Sequence, residues 1–172
     1  AYEPHVFNPV SMVFDPDGRM WVCEMNTYMP NVDGKNEEVN KNCISILEDT
    51  NGDGKVDKRT VFLDDIVLPR AITFVKGGIL YADNTSLYFA EVLPGLKVGA
   101  REVVDPHYAK GGSLEHKPNT MLYALDNWYY NSKDSKAYRA LPLDAALPAN
   151  SKGIYKNKYF KPVVRKTEYR GQ

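Results

Sequence analysis

Residues 49–57 carry oxygen-bearing side chains at near-alternate positions of a short loop, which is the pattern of a cation site. The donors are Asp49, Asn51, Asp53 and Asp57, with Gly54 at the sixth loop position. Ca²⁺ takes about six to eight oxygen ligands, and the backbone carbonyl of Lys55 would add one more. The pattern therefore predicts a calcium site with a structural role. The alternative is a metal-free turn formed by Asx and Gly residues.

The twelfth position of this loop differs from that of helix-loop-helix calcium sites. It is Thr60, where those sites place a bidentate Glu. The flanking segments 44–47 and 60–63 are rich in β-branched and apolar residues, which favours strands. We therefore expect the loop to connect two strands of one sheet.

A second set of candidate residues lies next to two prolines. Arg70 follows Pro69, while His116 and Asn119 flank Pro118. A histidine can act as a general base, and an arginine can bind an anion. We predict that Arg70, His116 and Asn119 share one site, with His116 as the candidate general base and Arg70 as the candidate anion-binding group. The alternative is that these side chains only form hydrogen bonds at sheet edges.

These two prolines belong to an internal repeat that also includes Pro9. Each proline is followed by an aromatic residue after five positions, by Gly or Asn after nine, and by a second aromatic after twelve. The matching residues are Phe14, Gly18 and Trp21; Phe74, Gly78 and Tyr81; and Tyr123, Asn127 and Tyr130. Each unit reads as a β-hairpin, with a turn where positive φ is tolerated.

The repeat starts near residues 9, 69 and 118, and this spacing leaves room for two more strands in each unit. Four-stranded units at such a period are typical of a β-propeller. We predict an all-β fold, with residues 1–172 forming a single partial β-propeller domain of about three four-stranded blades. Such a partial ring would be completed by remaining blades or by another chain. The alternatives are a β-sandwich and an α/β fold, although no long period of 3.6 residues is present.

Composition excludes several classes of function. The 22 Lys and Arg balance the 22 Asp and Glu, so no net field attracts nucleic acid. Apolar runs are shorter than the roughly 18 residues of a membrane-spanning helix.

Cys23 and Cys43 lack the spacing of a covalent haem site, but they lie in strand-like runs that are potential neighbours. A disulfide between them is favoured, with two buried free thiols as the alternative.

Five segments together resemble a known family. They are residues 11–22, 47–54, 67–71, 115–119 and 125–128. The chain from Asn8 to Gln172 resembles the "membrane-bound dehydrogenase" propeller domain of planctomycete-type proteins. That domain is similar to the soluble quinoprotein glucose and sorbosone dehydrogenases.

The resemblance implies a six-bladed propeller in a periplasmic or secreted protein. It further implies oxidation of a sugar or alcohol through pyrroloquinoline quinone (PQQ), with a c-type cytochrome as electron acceptor. By position, the catalytic residues would be His116, as the base, and Arg70, as the cation beside the quinone. Arg70 and Asn119 would bind the cofactor. The alternative function is a non-catalytic, calcium-stabilised propeller that binds glycans or a protein partner. An enzyme should place His116 and Arg70 together in a deep pocket, whereas a binding module should expose aromatic side chains at its rim.

Overall fold

The computed structural model describes residues 1–119, 121–131, 136–155 and 157–166. These residues form an all-β structure with a single 3-10 turn at Leu114–His116. None of the helical structure among them is long and apolar enough to span a bilayer. The strands are β1 (Pro9–Phe14), β2 (Met20–Glu24), β3 (Asn42–Glu48), β4 (Lys58–Ile66), β5 (Ala71–Val75), β6 (Gly78–Ala82), β7 (Leu87–Leu93), β8 (Lys97–Asp105), β9 (Leu122–Tyr123), β10 (Tyr129–Tyr130), β11 (Lys136–Leu141), β12 (Ser151–Gly153) and β13 (Lys161–Lys166).

The strands form three antiparallel sheets, which confirms the predicted fold class. Sheet 1 has the order β1-β2-β3-β4, and sheet 2 has the order β5-β6-β7-β8. Sheet 3 has the order β9-β10-β11-β13-β12, so it carries a fifth strand beyond the predicted four. Strand β1 lies against β5 and β4 lies against β8, so sheets 1 and 2 stack in parallel orientation as consecutive blades.

Each repeat unit forms the expected hairpin: β1 with β2, β5 with β6, and β9 with β10. In the second hairpin the two glycines have different functions. Gly77 has a φ of 83° and forms the turn. Gly78 is required by packing, because a Cβ there would lie 2.1 Å from the carbonyl oxygen of Ala90 on β7.

Sheet 2 is buried on both faces, and this explains the uninterrupted apolar sequence of β6. Ile79 and Tyr81 point into a core shared with sheet 1, where they meet Trp21 and Ile44. Leu80 and its neighbours on the same face pack against sheet 3 in a second core. A strand covered on both faces needs apolar residues at every position, whereas a half-exposed strand alternates.

The predicted disulfide between Cys23 and Cys43 is wrong for this structure, in which both are buried free thiols. Cys23 pairs with Ile44, and Cys43 pairs with Glu24. Directly opposed residues share a sheet face and successive residues alternate, so the two thiols lie on opposite faces of sheet 1. Burial and the nearby Glu24 carboxylate raise the pKa of Cys43 to about 11, which makes this thiol unreactive at neutral pH.

Sheets 2 and 3 are also joined by a charged contact whose contribution to stability should depend on pH. The buried Glu91 carboxylate accepts hydrogen bonds from Lys158 Nζ at 2.7 Å, from Tyr159 Oη and from the Ala100 amide at 3.2 Å. These bonds lower the pKa of Glu91 from the usual 4.5 to about 2. Because the folded-state pKa is depressed, the stabilisation is complete above pH 4.5 and is lost as the pH falls towards 2.

We therefore expect Glu91→Gln to reduce the acid sensitivity of the protein. Urea unfolding at several pH values between 2 and 6 would measure the free energy of unfolding of the variant and of the wild type. The variant should be less stable than the wild type near neutral pH, with the difference shrinking as the pH falls. A constant difference across this range would contradict the assignment.

Candidate functional site

A cavity of about 200 Å³ lies where the first strands of the three sheets begin. Val10 is at the start of β1, Arg70 immediately precedes β5, and Asn119 precedes β9. The remaining lining residues are Met25, Tyr28, Leu114 and Glu115. Each sheet contributes a lining residue at or just before the start of its first strand, so the arrangement of the blades assembles this site. We call it the Arg70 cavity.

The backbone before β5 holds Arg70 in place. The Arg70 amide donates to the carbonyl of Ala82 at 2.9 Å, which extends the β5–β6 pairing by one residue. Two residues earlier, Leu68 has a φ of 46° and a fully buried side chain. A left-handed conformation is unfavourable for leucine, so packing maintains a strained backbone next to the cavity.

Arg70 is the most unusual residue of the cavity. Its side chain is only 5% exposed, and its Nε and Nη2 atoms have no hydrogen-bond partner among the described residues. Burial lowers the pKa of Arg70, while Tyr28 and Asp83 act in the opposite direction. A buried guanidinium without an acceptor is costly, so its retention points to an anion supplied by a ligand.

Tyr28 reaches the cavity from the long connection between β2 and β3, residues 25–41. Thr27 Oγ1 donates to the carbonyl of Glu37 at 2.7 Å, which closes this loop on itself. The loop is also tied to sheet 2, because Asn84 Nδ2 donates to the Glu38 carboxylate. Connections of this length in compact domains are commonly binding loops.

His116 lies outside the Arg70 cavity, although it belongs to the turn that supplies Leu114 and Glu115. It is exposed, and its Nδ1 atom is 2.7 Å from Ser113 Oγ. The structure thus brings Arg70 and Asn119 to one cavity and leaves His116 beside it, so the expected placement of His116 and Arg70 together in one deep pocket is not found. A 3-10 turn places successive side chains about a third of a turn apart, so neighbours on it face different directions.

The predicted calcium loop connects β3 to β4, at the end of sheet 1 opposite to the Arg70 cavity. Its carboxylates accept hydrogen bonds from the loop backbone: Asp49 from the amides of Gly52 and Gly54, at 2.7 and 2.8 Å, and Asp53 from that of Lys55 at 2.8 Å. Hydrogen bonds from the Thr50 amide and hydroxyl lower the pKa of Asp57. In the described residues, no three His, Cys, Asp or Glu side chains are grouped to hold a metal.

A family model described as a domain of unknown function, DUF7133, matches residues 1–168. The chain belongs to this family. No curated protein matches the chain.

The DUF7133 chain is also similar in fold to the X-ray structure of a protein assigned as a gluconolactonase. The two share 14% sequence identity with a TM-score of 0.52. The match covers 98% of the DUF7133 chain and 63% of the other, so the chain spans less than two thirds of that protein. At this identity the likeness concerns the fold alone.

Sequence reasoning did not assign Met25, Tyr28 or Glu115 to the Arg70 site. Glu115 was within reach of prediction, since it stands in the same motif as His116 and Asn119. Tyr28 was not, because its approach to Arg70 depends on how the 25–41 loop of the DUF7133 chain folds over the strand ends.

Calcium binding by the DUF7133 chain remains a prediction, which a thermal-shift titration would test. The oxygen donors suit a hard cation, although the carboxylates would have to turn from the backbone amides towards the ion. At about a hundred times Kd, free Ca²⁺ should stabilise the protein by about 2.7 kcal/mol. The double variant Asp49→Asn with Asp53→Asn keeps amide oxygens as acceptors, and it should abolish the shift. An identical Tm in Ca²⁺ and in EGTA would contradict the prediction.

Proposed function

We propose that the DUF7133 chain is part of a quinoprotein-like propeller dehydrogenase, periplasmic or secreted, that oxidises a sugar or alcohol. The observation that supports this proposal is the buried Arg70 guanidinium, whose Nε and Nη2 lack partners among the described residues. In an enzyme of this kind, such a cation binds an anionic or carbonyl oxygen of the reacting molecules.

The residues of the Arg70 cavity fit one edge of PQQ and not the entire cofactor. Arg70 would bind a carboxylate or quinone oxygen, and Asn119 would hydrogen-bond beside it. The cavity, at about 200 Å³, is smaller than the roughly 300–1,000 Å³ of pockets for drug-sized ligands. We propose that further blades, from the remainder of the ring or from another chain, supply the other walls.

The outer face of sheet 1 supports a larger ring. Met12 and Phe14 are exposed on this face, next to Met20, Val22 and Leu47. The inner face of the same sheet packs against sheet 2 through an equally apolar surface. A further blade would cover the outer face in the same way.

In this proposal each residue has a defined task. Arg70 binds and orients, and the apolar side chains of Met25 and Leu114 limit access of water. His116 would accept the hydroxyl proton at Nε2 in the tautomer whose Nδ1 donates to Ser113 Oγ. A quinone, when bound, would supply the acceptor for the hydride of the alcohol carbon, and the proton taken by His116 would pass on to the reduced cofactor or to solvent. A c-type cytochrome would then accept the electrons.

A specific observation also favours the second candidate, a calcium-stabilised propeller that binds glycans or a protein. The β9–β10 hairpin of sheet 3 exposes Leu122, Tyr123 and Leu125. Exposed aromatic and apolar side chains at a rim suit glycan stacking or a protein contact.

The deciding experiment measures PQQ binding to the intact protein in the presence of Ca²⁺, followed by dye reduction with a panel of sugars and alcohols. We expect His116→Ala to keep PQQ binding and lose dye reduction. Arg70→Lys should weaken PQQ binding, because lysine cannot form two parallel hydrogen bonds. Absence of PQQ binding by a folded, Ca²⁺-stabilised protein would overturn the dehydrogenase and favour the binding propeller.

A further inference from the structure

We infer that the Arg70 cavity binds the carboxylate of a small sugar acid, with Nε and Nη2 of Arg70 donating side-on to its two oxygens. This inference goes beyond the proposed function: it assigns the paired donors Nε and Nη2 of Arg70 to a carboxylate of the substrate, whereas the proposed function by itself would leave them to an oxygen of PQQ. Three properties of the cavity lead to it: the donor geometry, the charge of its walls and the polar groups at its mouth.

The two free donors of Arg70 define the shape of the anion. Nε and Nη2 form one edge of the guanidinium plane, and both are buried without a partner among the described residues. Their N–H bonds are parallel, and they match the two oxygens of a carboxylate in a bidentate pair. A halide or a single carbonyl oxygen would leave one buried donor unsatisfied.

The charge of the walls favours a monoanion. Among the residues that line the cavity in the described structure, Arg70 is the single cation, and Glu115 adds a negative charge at the mouth. One carboxylate can pair with both free donors of Arg70, although Glu115 and the nearby Asp83 already offset part of its charge. A phosphate dianion or a dicarboxylate would leave excess negative charge beside Glu115, which is unfavourable.

The polar groups at the mouth favour a hydroxylated ligand. Glu115 is exposed there, and an ionised carboxylate can only accept hydrogen bonds, so it suits a hydroxyl donor. The amide of Asn119, on the same rim, can both donate and accept. Val10, Met25 and Leu114 offer an apolar wall to the C–H groups of the ligand. A short carbon chain with a carboxylate at one end and hydroxyls along it meets all these conditions.

Isothermal titration of the intact protein would test the inference with five probes: D-gluconate, D-glycerate, propionate, inorganic phosphate and glucose. We expect both hydroxy acids to bind, propionate to bind about ten-fold more weakly than glycerate, and glucose and phosphate not to bind. Arg70→Lys should weaken gluconate binding about 100-fold although the charge is kept, because the bidentate pair is lost.

The Tm of the Arg70→Met variant provides a second test, because replacing an arginine with a purely structural role would lower Tm. The variant should abolish gluconate binding and raise Tm, since it removes a buried cation whose Nε and Nη2 have no hydrogen-bond partner among the described residues. Lys76→Met is the matched control. Lys76 is an exposed cation on the β5–β6 turn, at the opposite end of β5 from Arg70, and its replacement should change neither quantity.

Three results would overturn the inference: phosphate binding as tightly as gluconate, gluconate binding unchanged in Arg70→Met, or a lower Tm in that variant. PQQ-dependent oxidation of neutral sugars without gluconate binding would also overturn it, while leaving the proposed dehydrogenase intact. Gluconate binding by a protein that does not bind PQQ would support the carboxylate site and overturn the dehydrogenase. Arg70-dependent binding of PQQ alone would assign the free donors to the cofactor and overturn the sugar-acid assignment.

Discussion

Replacing Trp21 with alanine is expected to lower the free energy of unfolding by about 3–5 kcal/mol, close to the loss seen for large buried aromatic side chains. Trp21 is 1% exposed and fills the space between sheets 1 and 2. Its ring lies edge-on to Phe62 at 4.7 Å and to Phe74 at 5.3 Å between centroids. Alanine would leave a cavity there, because two sheets cannot collapse around one missing side chain.

The indole of Trp21 also has a polar role, which a second variant isolates. Trp21 Nε1 donates to Asp15 Oδ2 at 3.0 Å, and Arg19 Nε donates to the same oxygen at 2.6 Å. Trp21→Phe keeps most of the ring volume and removes the donor, so we expect a smaller loss of about 1–2 kcal/mol. Urea unfolding followed by far-UV circular dichroism would measure both variants. A loss below about 1 kcal/mol for Trp21→Ala would show that the sheets do not pack as described.

The second large effect is expected for Glu24→Ala, at about 3 kcal/mol, because the variant breaks a buried charge cluster. Glu24 is fully buried at the end of β2. It accepts hydrogen bonds from the Phe7 amide at 2.8 Å, from Ser45 Oγ and from Arg59 Nη2 at 3.0 Å. Removing the carboxylate leaves all three donors without this acceptor.

A double-mutant cycle would separate the ion pair from the rest of this cluster. The Arg59 side chain is only 25% exposed. Arg59→Met removes its guanidinium and keeps most of the aliphatic part of the side chain. If the pair is coupled, the double variant should be more stable than the sum of the two single losses predicts. Additive losses would mean that Glu24 stabilises the fold mainly through Phe7 and Ser45.

Glu24 and Arg70 are both buried charged residues, but they differ in their hydrogen-bond partners. This difference separates a structural charge from a candidate ligand-binding charge. Glu24 is satisfied by three donors of the chain, so its removal should destabilise the protein. Arg70 keeps two donors unsatisfied among the described residues, so its removal should not. A buried charge that the fold does not pair is a candidate for ligand binding.

Local sequence information was sufficient to predict the hairpins and the all-β class. Gly18 and Asn127 adopt positive φ at the turn positions that the repeat marks, whereas in the second unit the positive φ falls on Gly77, one residue before the marked Gly78. The aromatic residue twelve positions after each proline lies on the second strand of each hairpin, as Trp21, Tyr81 and Tyr130 show. Turn chemistry and side-chain alternation depend on near neighbours in the chain, so they are readable without tertiary contacts.

The order of residues along the chain is thus enough to predict the repeat, the hairpin turns and the positions of Arg70 and Asn119 before the first strands of their sheets. Which side chains meet in space depends on the folded arrangement of the sheets and loops. The β2–β3 register placed Cys23 and Cys43 on opposite faces, and the 3-10 turn left His116 outside the cavity that Glu115 lines. The fold of the 25–41 loop brought Tyr28 to Arg70. Register, turn direction and loop path depend on contacts between residues distant in the chain, and local patterns do not encode them.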